Sequence, residues 1–255
     1  MTDEAHQPTP QPAGDLGTAS SQARVQFVGT GPGDPNLLTL GAVDAINRAQ
    51  VIVISCAEHR MLLGSDFLGL RPDVRIVLAG GVDEEAAVLP SQPGTGAPTP
   101  VDVDEHCADV TATVIDAASQ GLEVVRLVSG DPFLDGDIGA EAAAVARADH
   151  DVDVVPGVTG MTAVPEYAGL ILHGHDVQLI GDAACQRDIA GHGSNWSDQG
   201  LIVVNTEAGK LKEVVKHAIE SGRGEDEPAA LICHGATTQQ TTHTVTLGEL
   251  PQTAK

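Results

Sequence analysis

Residues 25–40 read VQFVGTGPGDPNLLTL, and the order of residue types in that stretch decides the fold class. A short apolar run (Val25, Phe27, Val28) gives way to a glycine-proline loop over 29–35. Beyond it Leu38, Ala42, Ala45, Ile46 and Ala49 recur at the spacing of a helix buried along one face. Strand, glycine loop and helix form the unit that aims backbone N–H groups and a helix N-terminus at a ligand. A dinucleotide fingerprint does not fit it. GxGxxG starting at Gly29 needs glycine where Asp34 stands, and Pro32 removes one of the amides that would cradle a pyrophosphate. The next strand closes on Ser55 rather than on the acidic residue that would hold a ribose. Judged on its glycines alone, the loop is equally a tight strand-to-helix turn with no ligand.

Outward from this unit the same alternation continues. Strands are expected at 51–55 and 74–79, then a helix from about Asp104 with its stripe at Cys107, Val110, Val114, Ile115 and Ala118, ended by Gly121. Residues 122–128 form a strand apolar enough to be buried on both faces, running straight into Ser129-Gly130-Asp131-Pro132. A helix over 138–148, a strand over 152–155 and a short helix after Pro156-Gly157 follow. Further strands are expected near 177–180, 201–205, 229–233 and 242–247. The helix over 208–221 has its stripe at Leu211, Val214, Val215, Ala218 and Ile219, with Gly222 as its cap. Alternating strands and helices indicate α/β domains built on parallel sheets, with ligands beyond the carboxyl ends of the strands. The expected organisation is a disordered tail over 1–23, an N-terminal α/β domain over 24–130 and a C-terminal α/β domain over 131–255, hinged near 129–133. Residues 80–103, rich in Pro, Gly and acid, read as a solvated insertion.

Composition removes several functions. The formal charge is −23, from 13 Lys+Arg against 36 Asp+Glu. Nucleic acid and anionic membrane surfaces, which call for basic patches, are therefore excluded as partners. No apolar run has the length of a membrane span, and the N-terminus lacks a basic-then-apolar signal pattern. Cys56, Cys107, Cys185 and Cys233 form no CxxC pair and read as buried free thiols of a cytoplasmic protein. No metal site is expected, because neither His173 with His175 nor Cys233 with His234 has third and fourth ligands in view.

Three strings carry a more specific signal. GTGPGDPNLLTL at 29–40, VVRLVSGDPFLDGDIGAEA at 124–142 and VVPGVTGMTAVPEYAGL at 154–170 resemble, in order, the three signatures of the tetrapyrrole (corrin/porphyrin) methylases. The resemblance covers roughly residues 24–250. It implies two αβα domains with mostly parallel sheets and S-adenosylmethionine in the cleft between them. It also implies a tetrapyrrole substrate and a homodimer. Carried over position by position, it places Pro32 against the cofactor, Ser129, Gly130, Asp131 and Leu134 on its methionine part, Thr159 and Gly160 in the third signature, and Thr206 and Gly235 beside the adenosine. Within the family the chain looks most like the members that convert uroporphyrinogen III to precorrin-2, towards sirohaem and cobalamin. The ending GATTQQTTHTVTLGEL at 235–250 resembles versions fused to uroporphyrinogen-III synthase, which would make this chain the methylase half.

The departures from the family pattern concern chemistry more than cofactor. Ser55 stands where the family has an aspartate proposed as proton acceptor, and Gly80 where it has a lysine proposed as donor. Asp137 replaces an arginine, Thr206 a methionine, and His173-Gly174-His175 a Thr-His-Arg triplet. Catalytic residues are therefore left unassigned, with His59 or Glu58 as neighbouring groups able to replace the base. A polycarboxylate substrate needs local basic charge, for which Arg60, Arg71 and Arg75 are the candidates, with ordinary solvated charge as the alternative. A degenerate methylase that binds cofactor weakly, or serves as a scaffold for a synthase, stands beside the enzyme reading, as does another precorrin methyltransferase.

Overall fold

The computed structural model describes residues 23–80, 105–107, 109–136 and 138–253. The expected tail and most of the expected insertion lie outside the described residues. Six strands make one sheet: β1 (Arg24–Gly29), β2 (Val51–Ile54), β3 (Arg75–Ala79), β4 (Glu105–Cys107), β5 (Val124–Val128) and β6 (Asp151–Val155). Their order is β4-β3-β2-β5-β1-β6, and every pairing is parallel.

Successive residues of these strands point to opposite faces, and both faces are apolar because helices cover both. Val25, Phe27, Val51, Val53 and Val77 pack with Val114, Ala117 and Ala118 of α3 (Val110–Ser119) and Val145 of α4 (Gly139–Arg147). Val28, Ile52, Ile54, Val125 and Leu127 pack on the other side with Ala42, Ala45 and Ile46 of α1 (Leu40–Arg48) and Leu63 of α2 (Ala57–Leu63). Thr39 caps α1 by accepting from the Ala42 amide, which fixes where the glycine loop ends and the helix begins.

Two expectations are corrected. The boundary expected between 130 and 131 cuts through this sheet, since α4 and β6 follow it and β6 pairs with β1 from Arg24↔Asp151 to Val28↔Val155. The helix expected from Asp104 begins at Val110, because Asp109 caps it by accepting from the Ala112 amide. Cys107, placed on that helix by its spacing, belongs to β4 instead.

The remaining chain carries two smaller ladders. β7 (Val177–Ile180) and β8 (Leu201–Val204) pair in parallel, while β9 (Pro228–Cys233) and β10 (Thr241–Thr246) pair antiparallel. α5 (Gly160–Tyr167) leads into this part, and α6 (Asp182–Ile189), α7 (Leu211–Glu220) and α8 (Leu250–Thr253) pack on its ladders. Trp196 is buried among Ile180, Cys185, Val214 and Ala218. Its indole N–H donates to Asp188 Oδ2 at 2.8 Å, and its ring meets His217 edge-on with centroids 4.8 Å apart. Cys56, Cys185 and Cys233 are free, but only Cys185 is buried. Among the described residues no helix is long and apolar enough to cross a membrane.

Candidate active site

All three signature loops leave the same edge of the large sheet, past the carboxyl ends of β1, β5 and β6. The first two are bonded to each other. Gly31 N donates to Gly130 O at 3.2 Å and Gly130 N returns a bond to Gly31 O at 2.7 Å, an isolated antiparallel bridge beyond the parallel strands. The third loop enters through Gly157. A Cβ there would collide with Gly130 O and come within 2.8 Å of the Gly29 Cα. Only glycine permits three backbones to meet so closely.

This contact changes the role expected of the glycines. Gly130 has φ +66, and its missing Cβ would strike the Asp135 carboxylate rather than open space for a ligand. A Cβ at Gly235 would likewise run into the Val164 side chain. Both glycines serve the chain's own packing first. Asp131 is similarly committed. Its Oδ1 accepts from the amides of Phe133 (3.0 Å) and Leu134 (3.1 Å), its Oδ2 from Gly157 N (3.3 Å), and its carbonyl from Asp135 N and Gly136 N. The carboxylate ties the second loop to the third, in the manner of a cap.

Asp135, which sequence reasoning missed, locks the arrangement. Its Oδ2 accepts from Asp131 N at 2.7 Å and its Oδ1 from the Thr159 hydroxyl at 2.9 Å. Thr159 in turn caps α5 by accepting from Met161 N. The sequence signal was available: a second acid four residues after Asp131, inside a Pro-containing turn. Pro32 completes this side, because a Cβ on Gly160 would rest 3.5 Å from the Pro32 Cβ.

Behind the loops lies a buried imidazole. His59, on the first turns of α2, is 2% exposed, and its Nε2 is 3.3 Å from both Thr30 Oγ1 and Ser129 Oγ. Burial, aided by the Arg126 charge, pushes its pKa down to about 3. A buried ring whose Nε2 already meets two hydroxyls is a poor store for a proton. Glu58 is exposed. Partial burial pushes the neighbouring Cys56 thiol up to about 11, so it stays protonated near neutral pH. Ser55 and Gly80 follow β2 and β3 at the same sheet edge; the serine hydroxyl cannot take a proton unaided, and glycine has no side chain to give one.

The basic residues divide. Arg60 follows β2 on α2, on the side of the signature loops. Arg75 opens β3 level with Val51 at the start of β2, and Arg71 precedes it, paired with Asp73 at 2.8 Å. Both lie at the amino end of β3, roughly 13 Å along that five-residue strand from the sheet edge that the loops leave. They flank the start of β3, not its end, and so do not face the candidate site.

The second part of the chain supplies the opposite wall. Gly181, after β7, faces the Leu134 carbonyl, with 3.6 Å left for a Cβ, and Gly33 faces Thr237 from the β9–β10 loop. The Tyr167 hydroxyl donates to Asp34 Oδ2 at 2.7 Å, joining the end of α5 to the first loop. Past the ends of β7 and β8, one carboxylate oxygen of Asp182 is buried without a hydrogen-bond partner, and the hydroxyl of Thr206 is buried with only the Cys185 thiol beside it. Buried polar atoms are rarely left unpaired unless something else completes them. An adenosine, with its donors and acceptors, suits such a place. The chain's donor and acceptor set therefore fits the cofactor implied by the three signatures.

Comparison with known proteins agrees with this geometry. Residues 24–251 match the family described as Tetrapyrrole (Corrin/Porphyrin) Methylases. A uroporphyrinogen-III C-methyltransferase from Sinorhizobium sp is 32% identical over 243 residues, covering 90% of this chain and 77% of that protein. A siroheme synthase from Pseudomonas fluorescens is 32% identical over 89% of this chain, which spans only 46% of that longer protein. Among solved structures, cobalt precorrin-4 methyltransferase superposes with a TM-score of 0.67 at 20% identity, covering 94% of this chain and 92% of that one. The uroporphyrin-III-C-methyltransferase of Thermus thermophilus superposes with 0.62 at 23%, covering 91% and 88%. A form of the latter complexed with S-adenosylhomocysteine superposes with 0.58 at 22%, covering 91% and 87%. With nearly the whole described chain matched, this chain belongs to the tetrapyrrole (corrin/porphyrin) methylase family.

Proposed function

We propose that the chain is an S-adenosylmethionine-dependent C-methyltransferase that acts on uroporphyrinogen III to give precorrin-2. The observation that carries the reading is the meeting of the three signature loops at one sheet edge, bonded Gly31 to Gly130 and tied to the third loop by Asp131 and Asp135. The named activity of a relative 32% identical over most of the chain supports the choice of substrate. Pro32, Ser129, Gly130, Asp131, Leu134, Thr159 and Gly160 would hold the methionine end, and Thr206 with Gly235 the adenosine. When bound, the cofactor supplies a methyl group on a sulfonium, open to displacement by an electron-rich ring carbon. The chain's own contribution is largely positioning and exclusion of water, which supply much of the rate in such a displacement. Arg60 is the remaining candidate for a substrate carboxylate.

Ser55 and Gly80 favour one alternative: a methylase domain that keeps its cofactor site but has lost proton transfer. Incubation of the protein with S-adenosylmethionine and enzymatically made uroporphyrinogen III, followed by mass spectrometry, separates the readings. The mass of precorrin-2 supports the enzyme. Binding of S-adenosylhomocysteine without any mass gain supports the alternative, and no binding at millimolar ligand overturns both. A homodimer and a cytoplasmic location belong to the same proposal, supported by exposed apolar side chains at Leu170, Ile171, Val177 and Leu179 and by the free thiols of Cys56, Cys185 and Cys233 among the described residues. Light scattering that gives a monomer mass at micromolar concentration overturns the dimer.

A further inference from the structure

We propose that His59 is a positioning residue, which holds the Ser129 hydroxyl as an outward-facing donor for the carboxylate of the methyl donor's amino-acid end. The inference rests on the cofactor site proposed above. It begins with the placement of one proton. The His59 Nδ1 is buried and has no hydrogen-bond partner, whereas Nε2 lies 3.3 Å from two hydroxyl oxygens. A proton on Nδ1 would strand a buried donor, and a proton on Nε2 meets two acceptors. Thr30 points the same way. Its hydroxyl donates to Val128 O at 3.2 Å, so it meets the ring as an acceptor. The Nε2–H is therefore shared between Thr30 Oγ1 and Ser129 Oγ.

The consequence falls on Ser129. Its oxygen already accepts from the ring, so its own proton is directed away from it. Ser129 is exposed at the loop where β5 ends, unlike the ring behind it. A neighbouring alternative among the described residues is the Cys56 sulfur at 3.8 Å, a thiol and a weak acceptor. A carboxylate oxygen is the better partner, and charge-assisted bonds of this kind are shorter and stronger than neutral ones. Burial keeps the ring neutral across the working range, so the direction of the chain of bonds does not reverse. A histidine that only fills space would leave the Ser129 proton free to turn inward.

Calorimetric titration with two ligands tests this. S-Adenosylhomocysteine carries the amino-acid end, and 5′-methylthioadenosine has the same adenosine and a thioether without it. His59→Ala and Ser129→Ala should each weaken S-adenosylhomocysteine by about three- to tenfold, the effect of one lost hydrogen bond. Methylthioadenosine binding should stay within about twofold by the same reckoning. The double variant should be no weaker than Ser129→Ala alone, because the two residues act in series. His59→Gln, which can present an N–H at similar reach, should recover most of the affinity, and it serves if the alanine variant does not fold. Equal losses for both ligands, additive losses in the double variant, or no loss at all would overturn the proposal. A wild type that binds neither ligand would overturn the cofactor reading itself.

Discussion

Gly130 sits at φ +66 with the Asp135 carboxylate lying where a Cβ would project. Gly130→Ala therefore meets both left-handed backbone strain and a displaced carboxylate, and should cost about 1–3 kcal/mol in chemical denaturation. In an Asp135→Ala background the same substitution should cost less, because one of the two penalties is gone. Equal costs in the two backgrounds would show that the collision is relieved some other way. Ser55 is the second informative residue. Ser55→Asp restores a carboxylate at the end of β2 and should raise the initial rate of methyl transfer, within the roughly 10²–10⁴-fold range of general acid–base catalysis. A wild-type rate on the order of 1 s⁻¹ or more, with Ser55→Asp neutral, would show that proton transfer is already provided for. Gly80→Lys is not the matching repair, because Gly80 has φ +102, where a side chain is strained.

Within the second signature Asp131 bends the chain by accepting from the amides two and three residues ahead, a local turn of the kind an aspartate before proline favours. Asp135 with Thr159 was not legible, because that contact joins residues brought together only by the order of strands in the sheet.

Among the elements, β5 and α4 share an unusual bond. Arg126 lies in the middle of the buried strand, donates to the Leu127 carbonyl, and pairs with Glu141 at 3.1 Å, the two side chains being 10% and 13% exposed. Burial lifts the Glu141 carboxyl above its ordinary range even though the Arg126 charge pulls it down. Glu141→Ala should cost about 3–5 kcal/mol, since it leaves a buried guanidinium without its partner. Glu141→Gln, which keeps an acceptor, should cost less. Urea midpoints for the two variants check this, and equal losses would mean that packing of the stem outweighs the charge. At this scale the strands were readable from apolar runs, but their neighbours were not. Nothing in DVDVV over Asp151–Val155 says that it joins the first sheet, and only its pairing with β1 moves the boundary past Gly130. Arg71 and Arg75 show the same limit: nearness in sequence to a strand does not say which end of it faces the site.

Over the whole molecule, a formal charge of −23 dominates. Several of the described cations are already held by acids, as in Arg24 with Asp153, Arg48 with Asp44, and Arg223 with Glu227. The acids that remain repel one another, and salt shortens that repulsion from a reach of about 10 Å at 0.1 M to about 3 Å at 1 M. The melting temperature should therefore climb by several degrees in potassium chloride over that range, and an unchanged or falling value would count against self-repulsion as a major cost. Binding of a polycarboxylate substrate should tighten with salt for the same reason, up to the point where the salt screens Arg60 itself. The alternation of strands and helices made the α/β class readable, and the sign of the charge could be counted. The antiparallel pairing of β9 with β10 was not read, although TTHTVT over Thr241–Thr246 is polar and exposed, unlike the apolar runs of the parallel sheet.

Trp196 is the chain's single tryptophan, and it is walled in by β7, α6 and α7. Excited at the red edge of protein absorption, the molecule therefore has one emitter, housed wholly in its second part. Its spectrum reports the opening of that part alone, while circular dichroism averages helices from both. The two parts have separate apolar clusters, and those around β7–β10 hold fewer fully buried side chains than those around the large sheet. In urea the emission should shift to longer wavelength before the ellipticity falls, and the gap between the two midpoints gauges how weakly the parts are coupled. A saturating nucleoside ligand bound across both walls should draw the two curves together, which turns an unmodified side chain into an optical gauge of the cleft.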